Sequence, residues 1–297
     1  MSIKALIKPV SDLGPGEIAL RLTAIALLLR PTGPWSVRPV IIALAALVLL
    51  VPVVMRAPAT WFALSGLVTA RIIWDWPIPD NHLYLLAYWC LALALAIGST
   101  DCQRVLSFSS RLMIGLVFLL AVLWKAGLSP DFVDGRFFRV TLLTDSRFED
   151  SVLLLTGLTE KQIENNRDYL APPKRPAAAV VADPKLVEPS GFRRLVSFLT
   201  WGTLVTETLV AVFWLLSLTG WRLTVRHPLL LIFCASTYAF APVAGFGWLL
   251  LTMGLVSCPS EQRLWRGAYI AAWILVLLYA EVPWAQVLLD LKELVMT

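Results

Sequence analysis

Eight long apolar segments follow one another along the 297-residue chain, and most are near the roughly 20 residues that a helix needs to cross a bilayer. They occupy residues 17–30, 39–55, 58–74, 81–98, 111–127, 195–218, 228–256 and 267–288. Lipid offers no hydrogen-bond partners to an open backbone, so a segment inside it must be helical. The sequence therefore predicts an all-α polytopic membrane protein, a bundle of seven or eight transmembrane helices.

The composition agrees with this prediction. Hydrophobic residues make up 58% of the chain and charged residues only 15%, which is more apolar surface than a soluble core absorbs. The formal net charge of +5 comes from basic residues scattered through short loops. That distribution indicates attraction to anionic headgroups, so we expect membrane lipids as partners and no nucleic acid.

The apolar segments divide the chain into three parts. Residues 1–127 and 195–297 form the two halves of the bundle. Residues 128–194 form one large extracytoplasmic loop with short surface helices and a Pro- and Ala-rich linker. Within this loop, Thr159 and Gln162 predict the capping box of a short helix.

Two of the segments are irregular. Residues 17–30 are few and include Arg21, so this segment either lies at the interface or packs inside the bundle. Residues 228–256 exceed one crossing, and Pro242, with Gly245 and Gly247, predicts a kink or break. Such a break belongs in the bundle interior, where neighbouring helices satisfy the freed carbonyl groups.

Lysines and arginines outside the long loop favour one orientation. With eight spans they are more numerous on the side that holds both termini, which predicts cytoplasmic termini and places Lys125 on the outer face. The sequence lacks N-x-S/T glycosylation acceptors, as suits a bacterial inner membrane. Its four cysteines lie far apart without zinc spacing, so we expect free thiols and no metal site.

Ionisable residues in or beside the apolar segments are the candidates for chemistry, because a charge at a helix centre costs about 2.5–3.5 kcal/mol on insertion scales. Glu207 lies in mid-segment and either pairs with a basic residue on another helix, for which Arg21 and Arg71 are candidates, or stays protonated. We interpret these three as structural intramembrane charges. The other candidates are Asp75, Asp80, His82, Lys125 and His227.

Three of these candidates have a structural interpretation as well as a functional one. His227, between Arg226 and Pro228, is interpreted as an interfacial residue, and His82 follows the helix cap expected at Asp80 or Asn81. Lys125 ends an apolar run. It is either a snorkelling anchor or a base whose ammonium form is destabilised by burial.

Two sequence patterns resemble a known family. DNHLYLLAYWCLALALA, which opens with Asn81 and His82, is followed by RLMIGLVFLLAVLWKAGLSPDFVDGRFF, which contains Lys125. In this order and spacing, with the later FCASTYAFAPVAGFGWLLLTMGLVSCP, they resemble the membrane domain of vitamin K-dependent gamma-carboxylase, a member of the horizontally transferred transmembrane domain (HTTM) family. The resemblance covers about residues 17–127 and 195–288. Its second motif includes Asp131, Phe132, Asp134 and Gly135.

The resemblance implies a carboxylase-like or quinol-epoxidising enzyme. Lys125 would deprotonate a reduced, vitamin K-like quinone, and His82 would be a second catalytic residue beside it. The quinone would enter sideways from the bilayer. The residues implied to line its site are Asn81, Tyr84, Trp89, Trp124 and Cys234.

The chain departs from the family pattern at three places. Trp124 stands where the carboxylase has a second lysine, and Cys234 follows Phe233 where a histidine is expected. The third departure is that we expect no counterpart of the large domain that captures the carboxylase's protein substrate. We therefore expect the long loop or a partner subunit to present any peptide substrate. A non-catalytic membrane subunit, a lipid-binding factor or a peptide-maturation helper on the same scaffold therefore remains the alternative. A transporter is less favoured, because the two halves lack paired broken helices.

Overall fold

The computed structural model describes residues 14–30, 32–77, 81–170, 186–221, 223–240, 244–259 and 261–296, and within these ranges all regular structure is helical. The predicted all-α fold is confirmed. The helices are α1 (Pro15–Leu29), α2 (Arg38–Leu50), α3 (Pro52–Met55), α4 (Pro58–Trp74), α5 (Asn81–Ile97), α6 (Cys102–Leu123), α7 (Pro130–Val133), α8 (Arg136–Thr144), α9 (Glu149–Thr156), α10 (Glu160–Leu170), α11 (Ser190–Leu216), α12 (Arg226–Phe240), α13 (Ala244–Val256), α14 (Arg263–Glu281) and α15 (Trp284–Met296).

Helices α6 and α11 form a long antiparallel pair, and the two ends of this pair define the two ends of the bundle. Lys125, just after α6, bonds to Glu207 in the body of α11, whereas Arg111 near the start of α6 donates to the Ser217 carbonyl just after α11. Where the helices cross, a side chain at Gly115 would come within 2.6 Å of Leu215, so glycine permits the close approach. We refer below to the Lys125 end and the Arg111 end of the bundle.

These two helices are also long and apolar enough to cross a membrane. With their terminal turns they cover Cys102–Leu128 and Ser190–Thr219, 27 and 30 residues, or about 40 and 45 Å at 1.5 Å per residue. Other apolar helices in the described part, such as Arg38–Leu50 and Asn81–Ile97, are shorter. Only about a third of each long helix's apolar stretch is covered by the rest of the molecule.

The segment predicted as one kinked span, residues 228–256, is an antiparallel hairpin of two helices. The predicted break is confirmed, because α12 ends at Phe240 and α13 begins at Ala244; Pro242 lies outside the described residues. The chain also reverses direction there, since His227 at the start of α12 lies 3.8 Å from Cys258 just after α13. Both open ends of the hairpin are therefore at the Arg111 end.

The described part of the chain begins at one end of the bundle and finishes at the other. In α1, Glu17 pairs with Arg56 at 3.5 Å, and Gly16 lies beside the start of α6, so α1 begins at the Arg111 end. It packs inside the bundle, the second of the two alternatives for this segment. Helix α15 packs on α9 at the Lys125 end. The expected topology instead places both termini on one side.

The long loop folds into a small helical unit with its own apolar cluster. Helices α7 to α10 bury Leu142, Leu143, Phe148, Val152, Leu158 and Ile163 against Phe192 and Val196 of α11. The predicted capping box is confirmed: the Thr159 amide donates to Gln162 Oε1 at 3.0 Å and the Gln162 amide to Thr159 Oγ1 at 3.4 Å. Most of the predicted linker, residues 171–185, lies outside the described residues.

Candidate functional site

Lys125 lies in a π-helical turn, Trp124–Leu128, that extends α6 beyond Leu123. Such a turn inserts one residue per turn relative to an α-helix and re-aims the side chains that follow it, and it occurs frequently at functional sites. Pro130 then begins α7, so the long helix ends here. The local sequence thus holds Lys125 at the point where α6 gives way to the loop unit.

The Lys125 ammonium group forms an ion pair with Glu207 of α11, with Nζ 2.5 Å from Oε1. The Glu207 side chain is 7% exposed and that of Lys125 is 25% exposed. The ring of Phe132 also faces the ammonium group, 5.2 Å from Nζ to the ring centroid. A carboxylate and an aromatic face therefore both stabilise positive charge on Lys125.

The second carboxylate oxygen of Glu207, Oε2, is buried and accepts no hydrogen bond from the described residues. An ionised carboxylate has about four acceptor sites, and a buried acceptor without a partner costs about 1–3 kcal/mol. The site therefore has the capacity to bind a donor such as a hydroxyl group or a water molecule.

Large apolar side chains surround this ion pair on the outer surface of α6 and α11. Trp124 is 64% exposed and Leu128 is 68% exposed, and both are in the π-helical turn itself. Other exposed apolar residues on the two helices are Leu120, Leu123, Trp201 and Val205. An apolar surface of this kind is typical of contact with lipid or with another protein.

His82 lines a separate cavity. This cavity, of about 80 Å³, is enclosed by residues of α1, α5 and α13, among them Thr23, Leu27, His82, Gly245 and Trp248. Lys125 is not among the residues that line it. The two predicted catalytic residues lie at the same end of the bundle, because α5 starts where α6 ends, but the structure does not bring them into one cavity.

The other residues predicted to line a quinone site are also separated. Trp89 is fully buried and donates from Nε1 to Thr23 Oγ1 at 2.9 Å, and Cys234 is buried in the bundle core. Tyr84 is half-buried, while Asn81 and Trp124 are exposed. All four cysteines are free thiols, as predicted.

The predicted structural charges do not pair as expected. Arg21 pairs with Glu17 at 3.2 Å and Arg71 with Asp75 at 2.5 Å, each one turn away on its own helix. Glu207 does pair with a basic residue from another part of the bundle, as expected, but that residue is Lys125 and not Arg21 or Arg71. Asp80 lies outside the described residues, so its predicted capping role does too.

The acidic motif after Lys125 serves the loop rather than the lysine. Asp131 and Asp134 both bind Arg136, each at 2.7 Å, and the Arg136 backbone amide holds the pKa of Asp134 below its usual range. Gly135 has a positive φ of 79°, which favours glycine. Phe132 is the motif residue that reaches Lys125.

A second cavity, of about 160 Å³, lies where the loop unit meets α11. Its lining includes Gly135, Arg139, Thr200 and Trp201, and Thr200 Oγ1 is buried without a hydrogen-bond partner in the described part of the chain. Thr200 and Glu207 are two turns apart on the buried face of α11. The cavity is therefore close to the ion pair along the helix.

Comparison with protein-family models, curated proteins and solved structures finds no significant match to this chain.

Proposed function

We propose that the chain is an HTTM-like integral membrane protein, a polytopic bundle in which Lys125 and Glu207 act together as the proton-accepting group for a lipid-soluble hydroxyl compound of the quinol class. The observation that carries this proposal is the buried Glu207 Oε2, an acceptor that no donor of the described residues reaches, beside a lysine at an apolar surface. The resemblance of the Lys125 region to the carboxylase motif supports the choice of a quinol.

The Lys125–Glu207 pair accounts for how a lysine at this place becomes a base. The hydrogen bond from Nζ to Oε1 is a direct path for one proton. Transfer of that proton leaves a neutral amine and a neutral carboxylic acid, a form that low-dielectric surroundings favour because neither partner is charged. The free amine is then available without any proton leaving for bulk water.

The chain's own residues supply binding as well as proton acceptance. Glu207 Oε2 binds a hydroxyl donor and the amine of Lys125 takes its proton, which leaves the quinol as an anion beside the new ammonium group. Phe132 and this anion stabilise that ammonium group, while Glu207 keeps the proton it received first. A bound quinol supplies an acidic hydroxyl group and a pair of electrons. Trp124 and Leu128 provide an apolar approach from the lipid side. His82 takes no part in this proton transfer.

The distribution of basic residues suggests the orientation of the bundle. Because residues 228–256 form a hairpin, the chain leaves α13 at the Arg111 end, and α14 begins there. The arginines at this end are Arg56, Arg104, Arg111, Arg226, Arg263 and Arg266. The positive-inside rule then places that end in the cytoplasm and the Lys125 site, with the loop unit, on the outer side. A bacterial inner membrane suits this arrangement.

The test is a spectroscopic titration of a reduced naphthoquinone with the protein in nanodiscs under anaerobic conditions. We expect the wild-type protein to convert bound quinol to its anion at a pH where quinol in empty nanodiscs remains protonated. Lys125→Arg should retain the ion pair with Glu207 and bind the quinol without deprotonating it, because a guanidinium group keeps its proton in proteins. Lys161→Met, at an exposed position in α10, is the matched control.

A non-catalytic scaffold is the second candidate, and a specific observation favours it. Phe132 and Glu207 both stabilise the charged form of Lys125, as expected of a lock between α6, α11 and the loop unit. If Lys125→Arg and the wild-type protein give the same quinol spectra at every pH, the proton-accepting function is excluded and the scaffold function remains.

A further inference from the structure

We propose a binding site for a phosphate group at the Arg111 end of the bundle, formed by Arg111 and Arg226 close to the buried side chain of His227. This site is distinct from the Lys125 site, because the two lie at opposite ends of α6 and α11. Nothing in the proposed quinol chemistry requires it.

Arg226 is buried and lacks an acidic partner. The residue is 9% exposed, and the one side-chain hydrogen bond it makes to the described residues is a long one, 3.5 Å from Nη2 to the Ser257 carbonyl. Nε has no hydrogen-bond partner in the described part of the chain, and neither Arg226 nor Arg111 forms a salt bridge there. The Trp214 ring, 5.5 Å away, is the other group that stabilises this charge.

The guanidinium group of Arg111 adds a second positive charge near Arg226, which makes a bound anion more favourable. Arg111 is half-buried, donates to the Ser217 carbonyl at 2.9 Å, and lies close enough to Arg226 for the two charges to repel each other. Two like charges at the edge of an apolar bundle destabilise the folded state unless an anion lies between them. The structure thus holds two arginines whose charge is not neutralised by the described residues.

The side chains packed around Arg226 and His227 are buried and mostly aromatic. His227 is fully buried, its Nδ1 lies 3.0 Å from the Tyr269 hydroxyl, and its ring stacks on Trp265 with 5.5 Å between centroids. Its Nε2 atom, like Arg226 Nε, lacks a hydrogen-bond partner among the described residues. Packing of this kind holds Arg226 in place, which lowers the entropic cost of binding.

Phosphate is the anion whose chemistry fits. Its several acceptor oxygens can bind two guanidinium groups at once, and the planar donor fork of arginine matches phosphate geometry. The source is either the headgroup of an anionic phospholipid or free phosphate. Capping of helix ends by the arginines accounts for the bonds to Ser217 and Ser257, but it leaves Arg226 Nε without a partner.

The experiment compares two phosphate sources. Protein in detergent receives inorganic phosphate, and protein in nanodiscs of phosphatidylcholine is compared with protein in nanodiscs that also contain phosphatidylglycerol. The readouts are the thermal unfolding midpoint and, by native mass spectrometry, the number of phosphatidylglycerol molecules retained. We expect one of the two sources to raise the midpoint of the wild-type protein.

Arg226→Gln should weaken that binding by about tenfold or more, since it removes charge-assisted hydrogen bonds. Arg104→Gln, at an exposed position two turns before Arg111 on α6, should bind as the wild type does. If Arg226→Gln does not fold, Arg111→Gln decides, because that side chain is only half-buried.

The outcomes separate the explanations. An effect of phosphatidylglycerol alone identifies a lipid headgroup site, and an effect of inorganic phosphate identifies a free-anion site. The proposal is overturned if neither source stabilises the protein, or if Arg104→Gln weakens binding as much as the pocket variants do.

Discussion

Removing Lys125 should destabilise the protein more than removing the charge of its partner. In Lys125→Met, the Glu207 carboxylate remains, 7% exposed and without its cation. In Glu207→Gln, by contrast, the amide oxygen can still accept from Lys125, whose side chain is 25% exposed and can move towards water. The two changes are therefore unequal, although they break the same ion pair.

The expected losses in the free energy of unfolding follow from how deeply each side chain is buried. Breaking a buried ion pair by removing one partner costs about 3–5 kcal/mol, and the partial exposure of Lys125 favours the lower end, about 3 kcal/mol for Lys125→Met. For Glu207→Gln we expect about 1 kcal/mol, the difference between a charged and a neutral hydrogen bond. The double variant leaves no uncompensated charge and should cost about 2 kcal/mol, less than the sum. The expected coupling energy is thus about 2 kcal/mol.

The assay is the free energy of unfolding in mixed micelles, measured for the wild type, both single variants and the double variant. A second cycle on Arg136 and Asp131, an exposed pair at 2.7 Å, is the control and should show no measurable coupling. Coupling below about 0.5 kcal/mol at Lys125 and Glu207 would refute the reasoning. So would a larger loss for Glu207→Gln than for Lys125→Met.

Three further predictions concern the loop unit and its contact with α11. Gly191→Ala places a methyl group 2.7 Å from the Thr156 carbonyl oxygen and should lower the free energy of unfolding by about 1–3 kcal/mol. Gly202→Ala, with open space around it, should instead raise the free energy of unfolding by about 0.5–1 kcal/mol. Equal effects of the two variants would contradict the described packing. Thr159→Ala removes the capping box and should cost about 1 kcal/mol, seen as faster hydrogen exchange in α10 and nowhere else. The pKa of Asp145 is held below its usual range by the Arg147 side chain, so this stabilising contact is fully present above about pH 4 and is lost as the pH falls through the folded-state pKa. Hydrogen exchange in α9, corrected for intrinsic rates, should therefore speed up at low pH in the wild type and do so to a smaller extent in Asp145→Asn.

The sequence predicts the helical fold and the approximate positions of most helices, because long apolar runs identify them directly. It places the starts of α6 and α11 too late, at residues 111 and 195 instead of Cys102 and Ser190. The first turns of both helices are polar, and Asp101 caps α6 by accepting from the Arg104 amide. Apolar length alone does not detect such polar turns.

The hairpin of α12 and α13 was missed for a different reason. A break at Pro242 is compatible with a kinked single helix and also with a reversal of chain direction, since apolar sequence on both sides of the break is expected in either case. What decides is packing: a side chain at Gly247 would meet the Tyr238 ring at 2.5 Å, so glycine allows the two helices to lie close together. That complementarity appears only in three dimensions.

The candidate site shows the same limit. Lys125 and Glu207 were each identified as unusual charges, but their pairing depends on which helices become neighbours, and they are 82 positions apart in sequence. Arg226 and His227 look like ordinary interfacial residues in the sequence, and only the fold shows that both are buried. Residue type thus identifies candidates, and helix contacts assign their partners.

The charges at the two ends of the bundle are neutralised in different ways, and this difference bears on orientation. At the Lys125 end, Glu207 neutralises the lysine, so this part of α6 and α11 can lie at an apolar surface without a net charge. At the Arg111 end, Arg111 and Arg226 have no carboxylate partner among the described residues, so that end requires water or an external anion. Swapping Lys125 and Glu207 should therefore leave the proposed orientation unchanged, because the pair stays neutral.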